Sequence, residues 1–594
     1  MTQSACSADR GGDAPQSTHD CEDAISVPQT GASASPDTHL SLDGGWDSVV
    51  SLAGVVRLDL ANMDGTEPLK HAQNVRELRL ARVSGSMEVS HALARLTIVD
   101  SPIACTNPQG RDLPNLAEVA VSCGQALNKD GFKWIRDWGP LVDVLKGAQE
   151  LRKLTLDNYT YYRLILPEMP SLKKLETLEL FRTKGSVYLP PSIRTIEIDK
   201  SSITKLYCDV ELLPYLKEFT MYSVSYVDIS LSQILQKATG LQKLVLVSKF
   251  GIVSTLPDIS KLKLLETLNL AYRKGEIYIP QGIRSVTLTN CKITKFQCDA
   301  ELLPNLLELT VDNAFSSVTF LGEKLQMIVQ ISPKIRQLQL TNNYRNHMIL
   351  PDISKLIALE YLSITGMQGQ IYLPHSIRSV SIYKCKITKF SCDTETLPNL
   401  LELTVHYMKS VDPSLTMVLQ KADKLQKLIL GGTFKDTVRI WKIYLQPSVT
   451  ELELKMMRLS HLIQLGTPKV KILSIYQVLT DYYEFQVLVR IIKSRTIIKI
   501  DIQAIGKEYG YFQRRYNRIN TFNLRVFIQR EGVYARMHIP VGRHYIQRDK
   551  TMYQKTHSVD KIVVLPANLV AFVYRQKIIP LASELTMLAQ TLLE

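Results

Sequence analysis

The chain has little of what enzymes, disulfide scaffolds or membrane-spanning proteins need. Its 594 residues include only nine cysteines, and no basic segment followed by an apolar run opens the sequence. A sparse, odd cysteine set without such a leader fits free thiols in a reducing compartment. A cytoplasmic location is therefore expected, with secretion by a route that needs no apolar signal peptide left open. No window reaches 18 apolar residues, so no transmembrane helix is expected. The phosphate-binding G-x-x-x-x-G-K-[ST] pattern is absent, as are H-E-x-x-H, C-x-x-C and G-x-S-x-G. The eleven histidines are scattered, and none falls in a triad-like grouping. These absences predict a protein that is not an enzyme, with no cofactor and no metal.

Charge is present but uneven. The net value is +14, while residues 1–45 carry Arg10 against seven acids (Asp9, Asp13, Asp20, Glu22, Asp23, Asp37 and Asp43), which leaves +20 on the remainder. That balance favours acidic partner surfaces, nucleic acid or anionic lipid heads over basic ones. Residues 1–45, rich in Ser, Thr, Gly, Pro and Asp, are expected to be a disordered tail.

What the sequence has in abundance is itself. "LPPSIRTIEIDKSSITKLYCDVELLPYLKEFTM" at 189, "IPQGIRSVTLTNCKITKFQCDAELLPNLLELTV" at 279 and "LPHSIRSVSIYKCKITKFSCDTETLPNLLELTV" at 373 are copies of one block. They define super-repeats near 151–240, 241–334 and 335–424. A shorter apolar-x-x-apolar-x-apolar pattern runs inside them, as at Ile283, Val286 and Leu288. It recurs in groups of four units, extends back to Val55 and forward to residue 497, and amounts to about twenty units.

In "IRSVTLTNCKITKF" the apolar residues Ile283, Val286, Leu288, Ile293 and Phe296 surround Cys291, and "IRSVSIYKCKITKF" puts Cys385 in the same place. This pattern resembles the leucine-rich-repeat signature L-x-x-L-x-L-x-x-(N/C)-x-L over about residues 55–505. The Leu-Pro-x-Ser-Ile-Arg units are similar to those of repeat proteins from microbial pathogens and protists. The resemblance implies an α/β repeat solenoid, a horseshoe with a concave parallel sheet, over residues 46–504. Ser201 and, by the same count, Asn343 take the slot of Cys291 and Cys385. That exchange predicts a packing role in which the side chain satisfies backbone groups, against the alternative of metal or redox work. Cys208, Cys298 and Cys392 form a second column, expected to be small buried hydrophobes.

The fourth unit of each group carries a helical return, at Leu141–Glu150, Leu231–Thr239, Glu323–Ile331 and Leu415–Asp423, because its apolar residues fall three and four apart. The other returns begin with Leu-Pro or Ile-Pro and are expected to be extended or turn-like. Residues between the strand hydrophobes, such as Glu197, Thr287 and Ser381, and those two positions further along, such as Tyr383 and His406, are expected to line the concave surface and to bind a protein partner. Three columns recur with the long period and are candidate partner-binding residues: Arg194, Arg284 and Arg378; Tyr188, Tyr278 and Tyr372; Lys205, Lys295 and Lys389.

Residues 505–594 are read as degenerate repeats forming a basic, aromatic-rich cap, with a separate small domain as the alternative. Within 507–555, eleven basic residues face three acids. Arg514, Arg515, Arg518, Arg525, Arg536 and Arg543 form a candidate patch for nucleic acid or an anionic membrane surface. Some bacterial effectors join leucine-rich repeats to a ubiquitin ligase whose nucleophile lies in a C-x-D motif. Here the last cysteine is Cys392, in "SCD" inside a repeat. An effector or ligase-associated adaptor with its activity in 505–594 is the alternative to a plain recognition scaffold.

Overall fold

The computed structural model describes residues 39–44, most of the chain between residues 54 and 480, and short strands at Lys499–Ile502, Ile505–Lys507, Arg525–Gln529 and Arg536–His538. Each unit contributes one strand, and neighbouring units place these in register as a parallel ladder from His39–Asp43 to Lys499–Ile502. The alternation read from the sequence produces this ladder directly. In Ser285–Thr289 the buried positions are Val286 and Leu288, while Ser285, Thr287 and Thr289 stay partly open. Along the ladder Leu58, Leu78, Leu96, Leu154, Leu178, Ile196, Phe219 and Leu244 are all at most 5% exposed. A fully buried side chain of this kind contributes about 1.5–3 kcal/mol. No unit could bury its own, so stability comes from stacking.

A second feature recurs at the strand exits. Asn62, Arg82, Asp100, Arg182, Lys200, Ser223, Tyr272, Asn290, Asn313, Lys384 and Tyr407 all have positive φ, between 48° and 57°. Each directly follows a strand of the ladder or interrupts one, as Asn62 and Arg82 do. A left-handed residue other than glycine costs roughly 1–3 kcal/mol. The hydrogen bonds made there offset it: the Lys200 N–H donates to the Tyr222 carbonyl at 2.8 Å, and Lys384 N–H to the His406 carbonyl at 3.0 Å. At Arg182, Lys200, Tyr272, Asn290 and Lys384 the corner turns the chain out of the long ladder and into smaller sheets, three of them three-stranded, whereas the corners at Ser223, Asn313 and Tyr407 precede the helices. One of these pairs Arg273–Ile279 with Lys292–Cys298, and another pairs Met367–Tyr372 with Lys386–Ser391.

Behind each third-unit corner lies the slot foreseen for the cysteines. Ser101 Oγ and Ser201 Oγ each accept a backbone N–H of the preceding unit, from Val83 and Thr183, at 3.0 Å. Cys385 Sγ accepts the Met367 N–H at 3.4 Å, and its thiol lies 3.2 Å from the Tyr383 carbonyl. Cys291 Sγ faces the Leu270 and Thr289 carbonyls at 3.3 and 3.5 Å. Burial pushes both thiols up to about 11, so neither is a thiolate at neutral pH. The serines and cysteines of this slot hold backbone together.

Two assignments shift. Asn342, not Asn343, turns inward in its unit; Asn343 is exposed. From Leu151 onward the first unit of each group has no left-handed residue after its strand, so the inward position comes one residue earlier, as at the buried Asn158 and Ser248. Cys208, Cys298 and Cys392 are half-buried at the edge of the core rather than enclosed by it.

The Leu-Pro-x-Ser-Ile-Arg block is explained residue by residue. Leu189 and Leu373 are buried where the small sheets end, and the following Pro190 and Pro374 carbonyls accept the N–H of Ile193 and Ile377. Ser192 and Ser376 hydroxyls reach carbonyls of the preceding turn, Leu175 and Leu359, at 2.8 Å. Helical returns occupy the fourth units at Gly139–Gly147, Ile229–Lys237, Val318–Ile331 and Ser414–Lys421. Ser230 and Ser414 hydroxyls accept the N–H of Leu206 and Phe390, tying each helix start to the neighbouring small sheet.

The ends differ from expectation. His39–Asp43, inside the segment read as a tail, forms a strand whose Leu40 and Leu42 pair with Leu58 and Leu60. Its two alternating leucines are too few to stand out in a polar background. At the other end Ile505–Lys507 continues a small sheet in parallel, but Arg525–Gln529 runs antiparallel to Lys499–Ile502 and Arg536–His538 folds back on it. Arg525–Gln529 thus stands against the repeat direction. Residues 1–38 and 539–594 lie outside the described residues. Among the described residues no helix is long and apolar enough to cross a membrane.

Candidate functional site

The half-open face of the long sheet carries three parallel rows, formed by the first, third and fifth residues of each strand. The middle row runs in unbroken register through Glu179, Glu197, Thr220, Val245, Asn269, Thr287, Thr310, Gln339, Ser363, Ser381 and Thr404. The row expected from the spacing is therefore physically continuous.

Its chemistry changes along the ladder. Toward the N-terminus the first row of the face is an ion-pair lattice, with Arg57 to Glu77 at 2.6 Å, Glu77 to Arg95 at 3.3 Å and Arg95 to Glu118 at 2.6 Å, and Lys153 of that row reaches Glu179 of the middle row at 2.7 Å. The Arg57 hydrogen bond holds the Glu77 carboxyl below its ordinary range. Arg182 pairs with Asp157, whose carboxyl is nevertheless pushed up because burial outweighs the guanidinium. Past Lys427 charge returns, with Lys427 to Glu451 at 3.2 Å and Lys455 beside Glu453. Between these ends the middle row from Asn269 to Thr404 is entirely hydroxyl and amide. Opposed charges satisfy each other, whereas neutral donors and acceptors remain adaptable to a ligand.

An aromatic group closes this neutral stretch. Tyr383 and Tyr407 meet edge to face with ring centroids 4.9 Å apart, His406 lies 4.5 Å from Tyr407 and stacks against Tyr383, and Lys384 Nζ sits 5.0 Å from the Tyr383 ring. Gly431 leaves room beside them, since a Cβ there would come within 2.8 Å of the His406 ring. His406 Nδ1 is enclosed without a hydrogen-bond partner among the described residues, and burial, aided by Lys455, holds the imidazole below its ordinary 6.5. The periodicity pointed to Tyr383 and His406. Tyr407 and Lys384 escaped it because they are left-handed corner residues, one step beyond the strand. Tyr361, 44% exposed in the first row, was also outside the reading.

The three columns lie elsewhere. Arg194, Arg284 and Arg378 stand one residue before their strands and pair with Glu176, Glu266 and Glu360 of the preceding unit at 3.2, 3.4 and 3.3 Å. Tyr188, Tyr278 and Tyr372, with Lys205, Lys295 and Lys389, belong to the small sheets beyond the corner. Tyr188 donates to Asp209 at 2.9 Å, Lys263 donates to the Tyr278 hydroxyl at 2.6 Å, and Tyr372 packs against the core. The concave rows and the columns are thus two separate surfaces. Of the basic patch, Arg525 and Arg536 lie on the antiparallel strands, with Arg536 in register with Phe527. Arg514, Arg515, Arg518 and Arg543 lie outside the described residues.

In-register parallel strands, buried leucine ladders and a backbone-satisfying slot define a leucine-rich-repeat solenoid, an α/β fold with its strands on the concave side. No protein-family model matches the chain, and no curated protein matches it by sequence. Among solved structures it is similar to a leucine-rich-repeat protein from Leptospira interrogans, at 18% identity and TM-score 0.48, covering 74% of this chain and all of that one. It is also similar to YopM from Yersinia enterocolitica, at 16% identity and TM-score 0.36, covering 68% of this chain and 87% of that one. A third is the ectodomain of the Arabidopsis receptor kinase HAESA in complex with a peptide hormone, at 14% identity and TM-score 0.33, covering 75% and 81%.

Proposed function

We propose that the protein is a non-enzymatic recognition scaffold that binds a polypeptide partner across the concave stretch between Thr267 and Tyr407, along its uncharged middle row. One observation carries this reading: between the second and third super-repeats, buried positions keep their character while concave positions diverge. Leu244, Leu268, Val286 and Leu309 match Leu338, Leu362, Val380 and Leu403. On the open face Thr267, Asn269 and Ala271 become Tyr361, Ser363 and Thr365, while Thr289 and Asp312 become Tyr383 and His406. Only Ser285/Ser379, Glu308/Glu402 and Thr310/Thr404 coincide there. A surface kept merely soluble has no reason to gain a cluster of tyrosines, which supply rigid amphipathic contact at low entropic cost.

The test places a photo-crosslinking amino acid at Ser381 on the concave face or at Thr388 on a small sheet, and identifies what each captures in cells. The reading expects a discrete protein partner from Ser381 alone. Its affinity should fall at least about tenfold in the double variant Tyr383→Ala, Tyr407→Ala, as for aromatic interface anchors. Capture from Thr388 only, or binding unchanged by the double variant, overturns it.

A further inference from the structure

The small sheets carry more positive charge than the carboxylates of their strands balance. Lys274 and Lys292 are direct register neighbours on adjacent strands, both exposed, and neither has an ion-pair partner among the described residues. Like charges placed side by side on a sheet cost stability. Lys184 and Lys205 form the equivalent block one super-repeat earlier, Lys386 and Lys389 the one after. In the strands of these three sheets Glu276, 3.6 Å from Lys295, is the single carboxylate among the described residues. "KITKF" is also identical in the second and third copies, in contrast to the diverging concave face.

The chain supplies a counterpart. Residues 1–38 hold Asp9, Asp13, Asp20, Glu22, Asp23 and Asp37 against Arg10. They lead into the strand His39–Asp43, which opens the ladder. Strands are spaced by about 4.8 Å, so the first lysine block lies at most ~34 Å along the ladder from that strand and the second at most ~53 Å. At up to ~3.5 Å per residue, the Asp20–Asp23 cluster can reach ~55 Å and Asp13 about 90 Å. The two acidic clusters are about ten residues apart, a length for which an unconstrained chain spans roughly 17 Å, against ~19 Å between blocks. For the third block only Asp9 and Asp13 have the reach, and spanning to it would leave the second block uncovered.

We infer that the small-sheet lysines form an interaction surface for an acidic polypeptide segment, occupied in this chain by its own residues 1–38. Asp20, Glu22 and Asp23 lie over the first block and Asp9 and Asp13 over the second, while Lys386 and Lys389 stay uncovered. The tether keeps the segment at high effective concentration, so a modest charge attraction suffices, and salt weakens it. The surface is distinct from the concave face and does not depend on the recognition proposed there.

The test uses the full chain as an equal mixture of unlabelled and 15N-labelled protein, treated with a zero-length carboxyl-to-amine cross-linker at low salt. Expected are links within one chain from Asp20, Glu22 or Asp23 to Lys184 or Lys205, and from Asp9 or Asp13 to Lys274, Lys292 or Lys295. In a parallel acetylation experiment, replacing the six acids by Asn or Gln should raise the reactivity of Lys274 and Lys292 about threefold relative to Lys386 and Lys389, the change expected for release of a weak tethered contact. Links found only between chains, links spread equally to the third block, or reactivities unmoved by the six replacements each overturn the proposal.

Discussion

The concave face and the corner behind it are built from the same twenty-odd residues of each unit, yet they behave oppositely across the copies. At the corner the second and third copies keep a buried thiol that turns its sulfur to backbone, and the first copy substitutes a serine that does the same work. On the open face the same copies exchange threonine for tyrosine and aspartate for histidine. The corner is constrained because it must satisfy buried donors and acceptors and seat a left-handed residue. The face is constrained only to alternate. Duplication therefore delivers a fixed frame with a variable lining, and substitutions should separate the two.

The largest effect is expected at Gly366, the glycine that stands where other units place a left-handed side chain. Its φ is +67°, and a Cβ there would lie 1.8 Å from the Asn342 carbonyl oxygen. Gly366→Ala should cost on the order of 3 kcal/mol or more, seen as faster hydrogen exchange across the neighbouring units. Little change would mean that the corner yields more readily than this contact implies.

Next comes the slot. Cys385→Ala strands the Met367 N–H and should cost about 1–3 kcal/mol in denaturant unfolding, whereas Cys385→Ser should cost clearly less, because Ser201 already fills that position. In the same protein, thiol labelling under native conditions should spare Cys105, Cys123, Cys291 and Cys385, whose thiols burial pushes up to about 11 or 12. Rapid labelling of Cys385 would break the comparison.

Smaller still is Arg378→Ala. Its ion pair with Glu360 is exposed, and about 0–1 kcal/mol is expected from the melting temperature. The least effect on stability should come from the face itself. His406 titrates below 6.5 in the folded protein, so as pH falls through 6.5 the unfolded chain takes up a proton first and a small part of the stability is lost. An NMR titration of the His406 ring checks the direction; a midpoint above 6.5 would mean that the Glu453 carboxylate outweighs burial and Lys455 there.

Much of this frame was legible in the sequence because it repeats. The strand positions, the helices at every fourth return and the slot shared by Ser201, Cys291 and Cys385 each appear several times in the same phase. What stayed hidden depends on backbone conformation. The left-handed corner accepts Arg, Lys, Ser, Tyr or Asn, so no residue type announces it, and Tyr407 and Lys384 were invisible for that reason. Asn343 was misplaced by one residue through the same cause. The columns of Arg194, Tyr278 and Lys295 were visible as columns, but periodicity alone could not say that they belong to surfaces other than the concave one.

The grouping of units in fours has a consequence for the length of the molecule. The fourth-unit helix always falls at the same phase of a period of about 90 residues, so each copy presents its successor with the same interface that it received. Removing or adding one complete copy would join like to like and leave the long ladder and the small sheets closed. The extent of the lining is thus adjustable in increments of ~19 Å without redesign of the frame. The protein is a ruler with standard graduations, cut to length by how many copies the gene retains.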